Sequence, residues 1–268
     1  CTIVFTSTKT ISANTTIQNT SGFNVTFDGN NAVQLFFVNS SELTLDNLTL
    51  TRGRTGFTGG AITNNGTLNI NNSTFSDNHV VAGNAISRGG AIHNNGAPAI
   101  LNITNSIFTN NSVGLAAPGG DTIGGAVSSS GFGNVTIIGS SFTNNHSDGY
   151  GGAIYSYGTM SLTNTTISNN TATGGISGVY SNSSNSTPIS GNTFVNNTCS
   201  GTFVDNGGNT GSNAAGCLPA VALVASAVCN NQNLEVTITA GDGNFNITGS
   251  GPGLPRNNVG VGTHTLNG

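Results

Sequence analysis

Apolar residues recur two positions apart in short runs along most of this chain, and the runs themselves recur. Leu68-x-Ile70, Leu101-x-Ile103, Val135-x-Ile137 and Met160-x-Leu162 each set two apolar side chains on one face of an extended strand. A second run, Gly-Gly-Ala-Ile/Val, starts at Gly59, Gly89, Gly124 and Gly151, with a degenerate copy at Gly178-Val179-Tyr180. The eight-residue segments 68–75, 101–108, 135–142, 160–167 and 187–194 align without gaps, and 43–50 is an earlier copy. Their last residues, Leu50, Phe75, Phe108, Phe142, Ile167 and Phe194, are 25, 33, 34, 25 and 27 positions apart. That spacing predicts a repeating coil of about 25 residues, lengthened in places by insertions.

A coil of three short strands that buries one face cannot close a core alone. Coils stacked about 4.8 Å apart form three parallel sheets around a shared interior. The expected fold is therefore all-β, a parallel β-helix of about eight coils over residues 1–216. Its interior should hold ladders of like residues: Leu50, Phe75, Phe108, Phe142, Ile167 and Phe194 in one, Ile70, Ile103, Ile137, Leu162 and Ile189 in another. Three positions past each member of the first ladder stand Asn78, Asn111, Asn145, Asn170 and Asn197, with Gly53 past Leu50. Asn and Gly tolerate left-handed backbone angles, so a sharp corner is expected at this position. Stacked Asn side chains there can also pass hydrogen bonds from coil to coil.

The pairing of Gly-Gly-Ala-Ile with Phe-x-x-Asn (Phe75-Ser-Asp-Asn78, Phe108-Thr-Asn-Asn111, Phe142-Thr-Asn-Asn145, Phe194-Val-Asn-Asn197) resembles the repeats of the chlamydial polymorphic outer-membrane proteins. It is similar, too, to a wider set of secreted bacterial and archaeal right-handed β-helix proteins, which implies a right-handed parallel β-helix here. The resemblance covers roughly residues 35 to 200 and implies an extracellular surface protein of adhesive or structural type. After residue 216 the repeat stops. Leu234, Val236 and Ile238 alternate, Gly241-Asp-Gly-Asn244 suits a hairpin turn, and Phe245 and Ile247 follow. Residues 217–268 thus read as a short antiparallel β-sandwich-like segment, and they resemble the start of an immunoglobulin-like module. Such a module needs further strands and a second cysteine, so completion by a continuation or by another subunit is expected.

Composition narrows the function classes. Asn, Thr, Ser and Gly supply 148 of the 268 residues, while only 14 are charged and the formal net charge is −4. These are poor helix formers, so a helical bundle is excluded. Five scattered cations, Lys9, Arg52, Arg54, Arg88 and Arg256, cannot neutralise a run of phosphates, so no nucleic-acid partner is expected. The longest apolar run, 218–228, is too short to span a bilayer and contains Pro219 and Ser226. No leader is visible before Thr2-Ile-Val-Phe-Thr6, and a mature or trimmed product is expected. A surface of hydroxyls and amides suits the cell exterior.

Candidate chemistry is sparse. Glycoside cleavage needs two carboxylates across the scissile bond. The acids here are Asp28, Asp46, Asp77, Asp121, Asp148, Asp205, Asp242, Glu42 and Glu235, of which Asp46 aligns with Asn71 and Asp77 sits inside a Phe-x-x-Asn turn. Both read as substitutions for Asn, and no catalytic residues, cofactor or metal are expected. His79 and His146 share one corner two coils apart, near 10 Å by the sheet spacing, too far to share a zinc ion. His93 aligns with Thr63 and Tyr155 and is expected on the surface. The insertions 79–88 and 112–123, with the short 146–150, leave from one corner and should form a ridge, a usual place for binding. Eighteen Asn-x-Ser/Thr sequons are present, many forced by the turn code.

Four cysteines remain, Cys1 at one end of the rod and Cys199, Cys217 and Cys229 near the other. Two of the latter three are expected to bond to each other, Cys217 or Cys199 with a neighbour. The third would bond Cys1 of the next copy and give a head-to-tail filament. Cys1 as an acylated lipoprotein-type cysteine is the competing assignment. The expectation is an extracellular structural or adhesive surface protein that self-assembles, with a glycan or cell-surface receptor as a further partner. A glycan-binding or glycan-cleaving β-helix is the alternative.

Overall fold

The computed structural model describes residues 1–81, 86–114, 121–182 and 186–218 and, for backbone only, five strands between 224 and 266. The chain divides into two compact units, Cys1–Leu218 and Pro219–Gly268. In the first, one coil runs through Ile62–Asn64, Thr67–Asn71, Thr74–Ser76 and His79–Val81 before the next begins at Ile92–Asn95. Each strand pairs in parallel with its equivalents in neighbouring coils, which makes a parallel β-helix. The Phe run builds a sheet of nine strands, from Thr2–Val4 to Thr210–Ser212. The Leu-x-Ile run builds one of eight, and the Gly-Gly-Ala run one of seven.

Register follows the motif alignment because a residue stacked on its own copy buries the same shape coil after coil. Ile70 pairs with Ile103, Ile103 with Ile137, Ile137 with Leu162, and Leu162 with Ile189. Leu50, Phe75, Phe108, Phe142, Ile167 and Phe194 are all fully buried. The rings of Phe75 and Phe108 stack at 4.8 Å and 6°, those of Phe108 and Phe142 at 4.7 Å and 5°. Each buried Phe contributes roughly 1.5–3 kcal/mol of transfer free energy, so this column is a main stabiliser of the rod.

The Gly-Gly pair has two separate causes. The first glycine is left-handed at Gly59, Gly89, Gly124 and Gly151, with φ between 61° and 73°. The second sits where coils touch: a Cβ on Gly90 would lie 2.1 Å from the carbonyl oxygen of Gly125. The sequence suggests three sheets, and the structure adds a fourth. Arg54–Thr55, His79–Val81, Ser112–Gly114, His146–Ser147 and Thr171–Ala172 stack in parallel just past the corner, with Val80 and Val113 turned into buried space. One register position of this sheet reads Thr55, Val80, Val113, Ser147 and Ala172 in successive coils, too weak an apolar pattern to read beforehand.

The corner itself differs from expectation. Asn78, Asn111, Asn145, Asn170 and Asn197 are not left-handed; the residues before them are, Asp77, Asn110, Asn144, Asn169 and Asn196, with Arg52 in the Leu50 coil. The expected residue instead turns its side chain inward, where it replaces missing backbone partners. Asn111 Nδ2 donates to the carbonyl of Phe75 at 2.9 Å and to Asn145 Oδ1 at 3.0 Å, while its Oδ1 accepts from the N–H and Nδ2 of Asn78. The same pattern repeats through Asn145, Asn170 and Asn197. A buried amide column satisfies backbone that the turn would otherwise strand away from water. Gly53 closes the column, its N–H donating to Asn78 Oδ1 at 2.9 Å. Of the two acids aligned with Asn, Asp77 takes the left-handed turn, and Asp46 accepts from Gln18 and Asn72.

In the second unit, Asn233–Ala240 pairs antiparallel with Val224–Asn230 and with Gly262–Leu266, and Phe245–Ile247 pairs with Arg256–Val259. The expected hairpin joining 233–240 to 245–247 is therefore not made, because each strand takes another partner; Gly241-Asp-Gly-Asn244 lies outside the described residues.

A tyrosine-lined groove as candidate functional site

The ridge of insertions is more regular than its sequence. Residues Ile86–Arg88 and Asp121–Ile123 form a two-stranded parallel sheet, bridged to Thr58 on one side and Tyr150 on the other. Each of Thr58, Arg88, Ile123 and Tyr150 directly precedes a Gly-Gly pair, so the four form a ladder along the rod. Residues 82–85 and 115–120 of the insertions lie outside the described residues.

This ladder is one wall of a groove of about 520 Å³ over the outward face of the Gly-Gly-Ala sheet. Arg88, Ile123 and Tyr150 line that wall; Asn95, Ser130 and Tyr157, from the turns after successive Gly-Gly-Ala strands, line the opposite one. Tyr155 and Tyr180, paired one coil apart, lie between. Their rings stack at 5.1 Å and 2°, and Tyr150 packs on Tyr180 at 5.5 Å and 39°. All four tyrosines of the chain are thus in one groove, and Tyr150 and Tyr157 are each 46% exposed. Phe132, next to the groove residue Gly131, is 76% exposed.

Arg88 is the one charged residue among the described groove residues. Its Nε is buried with no hydrogen-bond partner. Beside it, His93 corrects the surface assignment: the side chain is 2% exposed, and Nδ1 lies 2.7 Å from Ser128 Oγ. Burial, reinforced by the charge of Arg88, lowers its pKa to about 3. The same outward position is buried one coil to either side, at Thr63 and Ser128, and Thr58 Oγ1 lies 3.1 Å from Thr63 Oγ1.

His79 and His146 do stand two coils apart, with Ser112 paired between them. His79 is half-buried, and burial followed by the Arg54 charge lowers its pKa. His146 Nε2 meets Asp148 Oδ1 at 2.8 Å. No group of three or more His, Cys, Asp or Glu side chains that could hold a metal occurs among the described residues. Cys199 and Cys217 form a disulfide at a Cα separation of 4.6 Å, and Cys1 is exposed and free. Cys229 lies on Val224–Asn230, where only backbone is described. No helix among the described residues is long and apolar enough to cross a membrane.

Sequence reasoning placed the ridge but missed the tyrosines as a group. A signal was present: Tyr155 and Tyr180 replace Thr63 and His93 at one outward repeat position, and Tyr150 takes the position of Arg88 before Gly-Gly.

Residues 139–157 match the Chlamydia polymorphic membrane protein (Chlamydia_PMP) repeat. That stretch contains Phe142-Thr-Asn-Asn145 and Gly151-Gly-Ala-Ile154, and it carries Tyr150, Tyr155 and Tyr157 of the groove. No curated protein and no solved structure matches the chain.

Proposed function

We propose that this protein is a surface-displayed or outer-membrane-associated adhesive rod that binds through the tyrosine groove. The observation that carries the reading is the convergence of every tyrosine of the chain on one groove, on a scaffold otherwise coated with Asn, Gly, Ser and Thr. Tyr combines a large apolar face with a polar tip and is a favoured recognition residue for that reason. The repeat match supports a surface location, since it is named for a membrane protein. Binding is favoured over glycan cleavage because no carboxylate is among the described groove residues, and cleavage needs two.

The test is adhesion of beads carrying the full chain to surfaces coated with mucin, with collagen or with polysaccharide. Retention on at least one surface that falls several-fold in Tyr150→Ala/Tyr157→Ala supports the reading. Equal retention of both proteins, or none of either, overturns it. Head-to-tail assembly is a second property, favoured by the Cys199–Cys217 bond, which leaves Cys1 exposed. Monomer on both reducing and non-reducing gels would exclude its covalent form.

A further inference from the structure

We infer that the groove binds a segment of acidic polysaccharide lying along the rod, one uronate carboxylate seated on Arg88 and the sugar rings against the tyrosines. The inference rests on the adhesive reading and names its ligand. Three observations lead to it.

First, Arg88 is the one charged residue among the described groove residues. Its Nε is buried and unpartnered, and no Asp or Glu is among the described groove residues. The planar guanidinium fork matches a carboxylate, which it can hold by two parallel hydrogen bonds.

Second, the aromatic surface is displaced along the axis from that charge. Arg88, Ile123 and Tyr150 occupy successive coils, and Tyr180 lies one coil further. Three coil steps of about 4.8 Å put Arg88 and Tyr180 about 14 Å apart along the rod. A single small acid cannot span that distance, whereas a short oligosaccharide can. The opposite wall offers Asn95 and Ser130, an amide and a hydroxyl suited to sugar hydroxyls.

Third, the charge balance selects a sparsely charged polymer. One arginine faces the groove and the chain as a whole carries −4. A densely charged polyanion such as nucleic acid would meet net repulsion with only one compensating contact. A polymer with one carboxylate per disaccharide meets that contact at little electrostatic cost elsewhere.

The chain has no Trp, and its four tyrosines are all in the groove, so intrinsic fluorescence reports on this site. The experiment titrates the full chain with hyaluronan hexasaccharide and, in parallel, with neutral chitohexaose. Hyaluronan is expected to change the tyrosine signal saturably, and more weakly as salt is raised. Arg88→Gln is expected to weaken hyaluronan binding about tenfold or more, the loss of a charge-assisted pair, with chitohexaose binding unchanged. Arg88→Lys, which keeps the charge and loses the fork, should fall between the two, and it serves as the readout if Arg88→Gln does not fold. Tyr157→Ala should weaken both sugars. Equal binding of the two oligosaccharides, or hyaluronan binding indifferent to both Arg88 variants, overturns the inference. If neither sugar binds while tyrosine-dependent bead adhesion to mucin, collagen or polysaccharide persists, the inference fails and the adhesive reading stands; absence of adhesion to all three surfaces removes both.

Discussion

The Phe-x-x-Asn corner and the outward face of the Gly-Gly-Ala sheet belong to the same coils, yet the repeat treats them oppositely. At the corner, five successive coils present the same inward pair, an apolar side chain and an Asn, and each Asn is bonded to its copy in the next coil. On the outward face the register column reads Thr63, His93, Ser128, Tyr155 and Tyr180, with hardly a repeat in it. Identity is required where a residue must fill a fixed volume or satisfy a fixed carbonyl. Variation is tolerated where the neighbour is solvent or a wall of insertion. In a solenoid, the column that departs from the repeat is therefore where a binding surface can arise without unstacking the coils.

Substitutions can break this contrast. Phe108→Ala, between two stacked rings, should cost the most, about 3–5 kcal/mol, read as a lowered denaturant midpoint at unchanged slope. Asn111→Ala should follow at roughly 2–4 kcal/mol; it orphans the N–H of Asn78 and the carbonyl of Phe75. If Asn111→Ala unfolds no earlier than wild type, the amide column is ornament and the contrast is lost.

Buried His93 lies between these extremes. Its folded pKa, about 3, is below the ordinary histidine value of 6.5, so the unfolded chain takes up a proton that the folded chain refuses. Stability is whole above pH 6.5 and declines as pH falls toward 3, at up to about 1.4 kcal/mol per pH unit. His93→Gln should flatten that part of the stability–pH curve in thermal melts. The smallest effect on stability belongs to the groove itself: Tyr150→Ala and Tyr157→Ala should each change stability by less than about 0.5 kcal/mol while abolishing most adhesion. A large loss of stability there would make the tyrosines packing residues.

The corner shows how legibility ends. The Asn column and its coil-to-coil bonds could be anticipated from spacing, but not which neighbour takes the left-handed angle. Asn sits at both Asn110 and Asn111, so composition is silent on the choice; Asp77 before Asn78 was the available hint, since Asp too tolerates that backbone. His93 was misplaced because alignment gives strand direction and not burial: Thr63, His93 and Ser128 share one outward register column and are all buried. Tyr150 and Tyr180 share a groove although thirty positions separate them in the sequence.

By itself the sequence determined the strand period, the coil length and the register, because each repeat stacks on its copy and alignment is then equivalent to contact. It also determined the uncharged coat, since Asn, Gly, Ser and Thr are what corners and outward strand positions accept. Only the tertiary structure decided that the described parts of the insertions pair as strands, that His93 is buried, that Arg88 Nε has no hydrogen-bond partner, that Cys199 joins Cys217, and that four tyrosines line one groove. These are contacts between unlike segments, set by shape and packing in three dimensions, and no periodicity along the chain encodes them.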